Sequence, residues 1–357
     1  MAIQVTKTPS NIEADIIEAL SRTRYACSTI KRLSGGYVNF TYRGTILCPL
    51  SDGSTSVIVK HGEEYSTELR GFSASTIRCE AEQSIIRRVN QIWLQNVIYD
   101  SLSIRIPRLY HFFPQSNTQI MEDITESKTL HGGLQFLSAP TAASIGQSLG
   151  AWIASFHSWA RSHTDPSFSS VLGNNGELYE KQVRRMCINL SSECENKRVV
   201  EYYRDRLLEI DKEDVGVVHG DFTSRNVLVQ NSHGRAKRPI SLAIVDWEAC
   251  HLGNQSRDIA TFIGSLYMEH HFHGIEVARS MLQGFVQGYG PLREDLAFRV
   301  VVHTGMYFFL WKIYGDGKQT EKQVRELLQL AQDLLVKGCE KDREGITQSF
   351  LGCLLKP

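Results

Sequence analysis

Two short apolar runs, each closed by polar residues, constrain this chain more than any other feature. The first is VGVVH, which continues as HGDFTSRN through His219, Gly220, Asp221 and Asn226; the second is ISLAIVDW, ending at Asp246-Trp247. Runs of this length and composition, bounded by turn residues, read as buried strands. Asn226 follows Asp221 by five residues, and Asp246 follows Asn226 by twenty. Aspartate and asparagine are common at strand ends because they suit turns, so any one of the three carries little weight alone. Their combination behind two apolar strands carries far more.

Phosphoryl transfer asks for a group that takes the proton of the attacking hydroxyl. It also asks for oxygen ligands that hold magnesium on the nucleotide phosphates. Asp221 suits the first task, and Asn226 and Asp246 suit the second. In protein kinases these tasks fall to a loop aspartate, an asparagine five residues later and a strand-end aspartate.

Ahead of the motif the chain is β-rich. Ser10 before NIEADIIEAL reads as a helix N-cap, with Glu13 as its capping-box partner. KRLSGGYVNFTYRGTIL holds two apolar runs joined at Gly35-Gly36, a hairpin signal, and SVIVK ends a strand at Lys60. TIRCEAEQSIIRRVNQIWL has helical spacing, and IPRLYHFF and TQIMED read as strands. From about residue 126 the pattern turns helical. TAASIGQSLGAWIASFHSWARSH places Ile145, Leu149, Trp152, Ile153 and Phe156 on one helical face. Residues 256–338 read as four successive helices. The expectation is a bilobal α+β fold, with a small β-rich nucleotide-binding lobe over residues 1–122 and a larger helical lobe for catalysis and acceptor binding over 123–357. Asn231 to Pro239 reads as a polar hairpin tip.

The length of 357 residues suffices for two lobes. Lysine plus arginine balances aspartate plus glutamate at 39 each, so nothing draws the whole chain to nucleic acid or to an anionic membrane. No uncharged apolar run reaches the roughly 18 residues of a membrane span, and MAIQVTKTPSNIE lacks the apolar centre of a signal peptide. The eight cysteines show neither C-x-x-C nor zinc-ligand spacing. Free thiols without an export signal point to the cytoplasm, so the Asn-x-Ser/Thr triplets at Asn39, Asn189 and Asn254 read as chance. The oligomeric state stays open, with a monomer the simplest form.

Upstream residues agree with the motif. Lys60 stands at a strand end, where a kinase places the lysine that contacts the α- and β-phosphates. Glu80 or Glu82 on the next helix is its candidate ion-pair partner; two residues apart, they cannot share a helix face, and Glu80 is preferred. The turn Ser34-Gly35-Gly36-Tyr37 is able to cover a triphosphate with backbone N–H groups.

HGDFTSRN, IVDWE and the later Asp258-Ile259-Ala260 together resemble the aminoglycoside phosphotransferase and choline kinase superfamily, whose fold is protein-kinase-like. Within it, KRLSGGYVNFTYR, SVIVKH, IMEDI, SKTL, IGQSLGAWIASFH and VDWEACHLG are similar to fungal hydroxytryptamine kinases and, more distantly, to methylthioribose kinases. The likeness runs over residues 30–350. It implies ATP and Mg2+ as cofactors, Asp221 as catalytic base, Asn226 and Asp246 as magnesium ligands, and Lys60 as phosphate contact. It also implies an interlobe hinge through Met121, Glu122 and Ile124 whose backbone binds adenine.

His219 reads as structural, and Asp258 as the cap of a helix N-terminus. Glu269, His270, His271 and His273 read as a solvated helix end, since their spacing matches no zinc pattern. A helix over Arg293 to Tyr314 ends in MYFFLWKIYG and, apolar on every side, reads as buried core. Trp311 is the residue of that set expected to line an acceptor site, where aromatic groups suit a flat or apolar amine. The expectation is therefore a small-molecule kinase acting on a hydroxylated aromatic amine. Aminoglycoside kinases and methylthioribose- or choline-type kinases are the alternatives. A non-catalytic nucleotide-binding module is the other class; it predicts loss of at least one of Lys60, Asp221, Asn226 and Asp246. A protein kinase is disfavoured because no A-P-E follows Asp246, and a P-loop kinase because no G-x-x-x-x-G-K-[ST] occurs.

Overall fold

Strand pairing starts on either side of the glycine pair. β1 (Cys27–Arg32) and β2 (Phe40–Ile46) run antiparallel, with Arg32 opposite Tyr42. The computed structural model describes residues 9–34, 36, 38–66, 72–91, 97–99, 102–162, 165–194, 200–201, 215–230, 240–314 and 317–355. Gly35 and the stretch from Asn231 to Pro239 lie outside these residues. β3 (Ser56–His61), β6 (Leu109–Phe113) and β7 (Thr118–Glu122) complete an antiparallel sheet in the order β1-β2-β3-β7-β6. Its buried face follows the period of two that strands impose, with Phe40, Tyr42 and Ile46 inward on β2. Onto this face α1 (Pro9–Leu20) lays Ile12, Ile16 and Leu20, spaced by four. Proline at the helix start puts Ser10 inside the first turn, so Ser10 is not the N-cap. α2 (Ile77–Gln91) buries Cys79, Glu82, Ile85, Ile86 and Val89. Residues 1–92 and 106–125 form one compact unit.

The second unit comprises residues 93–105 and 126–357. It holds a sheet of β4 (Val97–Tyr99), β5 (Leu102–Arg105), β11 (Ile240–Ile244), β10 (Val227–Gln230) and β8 (Ser127–Thr129), in that order. β5 runs parallel to β11, with Leu102 opposite Ile240. β9 (Val215–Val218) pairs antiparallel with β12 (His251–Asn254). Ahead of β9 this unit carries α3 (Leu130–Gly133), α4 (Ala139–Ser162), α5 (Pro166–Gly173) and α6 (Glu177–Glu193). After β12 come α7 (Ser256–His273), α8 (Val277–Tyr289), α9 (Glu294–Phe308), α10 (Trp311–Tyr314), α11 (Glu321–Cys339) and α12 (Arg343–Thr347).

The expected single helix over Arg293 to Tyr314 is therefore two. Phe309 and Leu310 close tight bonds to Met306 and Tyr307, three residues back, and the Phe309 carbonyl accepts from Asn189 Nδ2 at 2.5 Å instead of continuing the helix. Asn39, Asn189 and Asn254 are all buried and hydrogen-bonded. None of the eight cysteines is in a disulfide. No helix among the described residues is long and apolar enough to cross a membrane.

The five apolar residues singled out on α4 are fully buried. Beside them α4 meets α8 through reciprocal glycines: a Cβ on Gly150 would stand 2.1 Å from the Phe285 carbonyl oxygen, and one on Gly284 would stand 2.1 Å from that of Ala143. Backbone cannot yield as a side-chain tip does, so these glycines set the spacing of the two helices. Gly284→Ala is expected to lose about 1–3 kcal/mol of stability through overpacking. Gly133→Ala, where a Cβ meets nothing within 4 Å, should stay within about 0.5 kcal/mol of the parent in urea unfolding.

Candidate active site

The apolar runs VGVVH and ISLAIVDW become β9 and β11, and each delivers its polar residues from a strand end. Asn226 folds back over the loop after β9: its Nδ2 donates to the Asp221 carbonyl and to Asp221 Oδ2, both at 2.9 Å. The structure thus brings Asp221 and Asn226 together. Asp246 follows β11 with φ 67° and ψ 63°. For a residue with a Cβ that conformation costs on the order of 1–3 kcal/mol, and such strain gathers at functional sites. Gly220 has φ 84°, and a Cβ there would come within 2.2 Å of the Ala249 carbonyl oxygen, so only glycine fits.

The loop is hung on Asp258. Its Oδ2 accepts from the His219 amide at 2.8 Å and from His157 Nε2 at 3.0 Å, and its Oδ1 accepts from the Gly220 amide at 3.0 Å. Asp258 therefore does not cap its helix; it sits inside the first turn of α7 and anchors the preceding loop. Burial on its own raises the Asp258 pKa, but the hydrogen bond and charge of His157, with those of His219, outweigh it and hold the value low. On the far side of His157, Nδ1 meets the Tyr289 hydroxyl at 3.0 Å, a phenol that burial keeps protonated. His219 is structural as expected: Nε2 donates to the Val245 carbonyl at 3.1 Å, and Nδ1 accepts from the Asp221 amide at 3.3 Å. Further along α7, Thr261 Oγ1 donates to the Phe222 carbonyl at 3.0 Å and Ser265 Oγ accepts from the Ser224 amide at 3.3 Å.

In the first unit Lys60 is buried, and its Nζ lies 2.9 Å from Glu82 Oε1. The preference for Glu80 is corrected, since Glu80 is exposed on the opposite face of α2. Glu82 stands three and four residues before Ile85 and Ile86, on the stripe that α2 buries. Its second oxygen accepts from Gln119 Nε2 on β7 at 2.9 Å. Arg78, one turn earlier, is buried and donates to Asn39 Oδ1, at the start of β2, and to the Ala74, Ser75 and Glu63 carbonyls. It thereby ties the segment behind Gly36 to the helix that carries Glu82. Met121 and Ile124 are buried; between them, the Glu122 amide donates to the Arg108 carbonyl at 2.8 Å.

Residues 104–299 match the phosphotransferase enzyme family. Over 96% of its length the chain is 33% identical to phosphotransferase FrzJ of Cladobotryum sp, covering 95% of that protein. The chain belongs to the phosphotransferase enzyme family. Across 83% of this phosphotransferase it is also 28% identical to 4-hydroxytryptamine kinase of Psilocybe cubensis, covering 84% of that enzyme. Two solved structures share the bilobal, kinase-like α+β fold. Amicoumacin kinase hAmiN, in complex with AMP-PNP, Ca2+ and Ami, aligns with a TM-score of 0.55 at 16% identity, covering 92% of this chain and 96% of that one. ADP-bound aminoglycoside phosphotransferase APH(2'')-Ib gives 0.53 at 17%, covering 90% and 99%.

Met306, Tyr307, Phe308 and Phe309 are buried core, whereas Trp311 is partly exposed in a cleft of about 680 Å3 with Glu193, Glu321, Arg325 and Gln332. Glu269 is not part of a solvated helix end. It is 5% exposed and paired with His131 Nδ1. His271 Nε2 lies 2.7 Å from the Gln323 carbonyl oxygen. Among the described residues no group of three or more His, Cys, Asp or Glu side chains is placed to hold a metal ion.

Glu82→Ala leaves Lys60 buried without its carboxylate and should cost about 3–5 kcal/mol; Glu80→Ala should cost under about 0.5 kcal/mol. Paired urea denaturation curves separate them. Asp258→Asn turns one acceptor oxygen into a donor facing a loop N–H, for a loss of about 1–3 kcal/mol at pH 7. Because the folded Asp258 pKa lies below its ordinary 3.8, that deficit should hold steady down to about pH 4. It should shrink only as pH falls further, through the folded value.

Proposed function

We propose that this phosphotransferase moves the γ-phosphoryl group of ATP onto the hydroxyl of a hydroxylated aromatic amine. The observation that carries the reading is the loop after β9, where the Asn226 amide clasps the Asp221 carboxylate at 2.9 Å. That bond leaves Asn226 Oδ1 without a hydrogen-bond partner among the described residues, an oxygen of the kind that magnesium prefers. Asn226 Oδ1 and the Asp246 carboxylate would hold Mg2+, which when bound offsets charge on the transferred phosphoryl oxygens. Asp221 takes the proton of the attacking hydroxyl, while the bond from Asn226 Nδ2 to Oδ2 keeps its carboxylate facing one way. The β-rich unit is the nucleotide-binding lobe: Lys60, oriented by Glu82, contacts the α- and β-phosphates, backbone N–H groups at Gly35 and Gly36 cover the triphosphate, and the backbone of Met121, Glu122 and Ile124 receives adenine. The helical unit is the catalytic lobe. Likeness to 4-hydroxytryptamine kinase supports an aromatic amine as acceptor.

The test is acceptor-dependent ADP release from ATP and Mg2+, over hydroxytryptamines, other phenolic amines, choline, methylthioribose and aminoglycosides. Release with the phenolic amines is expected. Asp221→Ala should slow it by about 10²–10⁴ with nucleotide affinity nearly intact, whereas Asp246→Ala should weaken magnesium-nucleotide binding. Release with aminoglycosides alone would overturn the acceptor class, and near-parental turnover by Asp221→Ala would overturn the base.

A further inference from the structure

One face of α7 runs along the whole catalytic loop. Asp258, Thr261, Ser265 and Glu269 are spaced by three, four and four residues, so they share that face. The first three spend their polar atoms on the backbone of residues 219–224. Glu269 is the fourth rung, and no backbone group of the loop is bonded to its side chain. Its carboxylate is 7% exposed and is engaged on one oxygen by His131. His131 is itself held against the loop, its amide donating to the Ser224 carbonyl at 2.9 Å. Among the described residues, the second oxygen of Glu269 carries no hydrogen bond. That oxygen keeps some access to solvent, so a ligand is able to reach it.

Nearby stands Tyr307, whose ring lies against the backbone of Gly264 on α7. Its buried phenol is held protonated, first by burial and then by the carboxylates of Asp221 and Glu269, which both bear on it. Glu269 thus lies within electrostatic reach of the same group that senses Asp221. From Thr261, beside Phe222, to Glu269 the helix rises about 12 Å. Less the reach of two side chains, that suits an acceptor whose cationic group lies several bonds from its hydroxyl.

We propose that the open oxygen of Glu269 takes the ammonium group of the acceptor, making Glu269 the residue that selects a monoamine over a neutral alcohol or phenol. The inference rests on the reading of Asp221 as the base at the acceptor hydroxyl. A charge-assisted hydrogen bond of this kind corresponds to roughly 10- to 100-fold in acceptor preference.

The experiment compares kcat/KM for 4-hydroxytryptamine and its N-acetyl derivative, which keeps the hydroxyl and removes the charge. The parent enzyme should prefer the free amine by about 10-fold or more, and Glu269→Gln should bring the ratio close to one. A ratio unchanged in Glu269→Gln, or no preference in the parent, overturns the role of Glu269 while leaving the kinase reading intact. Transfer to neither compound overturns the hydroxylated-amine reading and this inference with it. A second measurement needs no variant and covers the case in which Glu269→Gln fails to fold. Tryptamine, an amine without the hydroxyl, should compete with the acceptor at least 10-fold more strongly than N-acetyltryptamine does; equal inhibition contradicts the proposal.

Discussion

The loop that carries Asp221 depends on one buried carboxylate. Asp258 is fully buried, and such a group is tolerable only when its oxygens are filled. Three donors fill them: the amides of His219 and Gly220, and the His157 ring. Each donor in turn commits a part of the fold. The two amides place the loop one residue ahead of Asp221. Gly220 must be glycine to lie so close to Ala249. His157 and Tyr289 stand at the ends of α4 and α8, whose spacing is set by glycines that admit no Cβ. The geometry of Asp221 and Asn226 is therefore inherited from helix packing well behind them, and the rest of the α7 face extends the same support along the loop.

The β-rich unit solves a similar problem with charge. Lys60 and Glu82 are both buried, and a buried ion pair is a weak source of stability because desolvation offsets the attraction. What it does well is fix direction. Glu82 has both oxygens used, by Lys60 and Gln119, so the carboxylate cannot swing and the ammonium is held on β3. Arg78 does the same for the backbone around Asn39, spending its donors on one side chain and three carbonyls.

Much of this was legible in the sequence where the signal was local. The strand-end aspartates, the Gly35-Gly36 hairpin and the α4 stripe follow from short-range pattern, and the structure has the strands and the helix. The choice between Glu80 and Glu82 was also legible in principle. Glu82 shares a face with Ile85, Ile86 and Val89, and that stripe outranks nearness to the strand. The break at Phe309 was not legible, because it depends on Asn189, 120 residues away in sequence. Nor was the role of Asp258: an aspartate in a first helical turn looks like a cap until a loop 38 residues earlier offers two amides. Glu269 read as solvated because its histidine neighbours are polar, and only the contact with His131 reveals its burial.

The most direct test of this account is single-turnover phosphoryl transfer from bound magnesium-ATP by Asp258→Asn. If Asp258 positions the loop, the transfer step should slow on the order of 10²-fold, the scale on which small misplacements act, with nucleotide affinity unchanged. Transfer at the parental rate by a folded Asp258→Asn protein would contradict it.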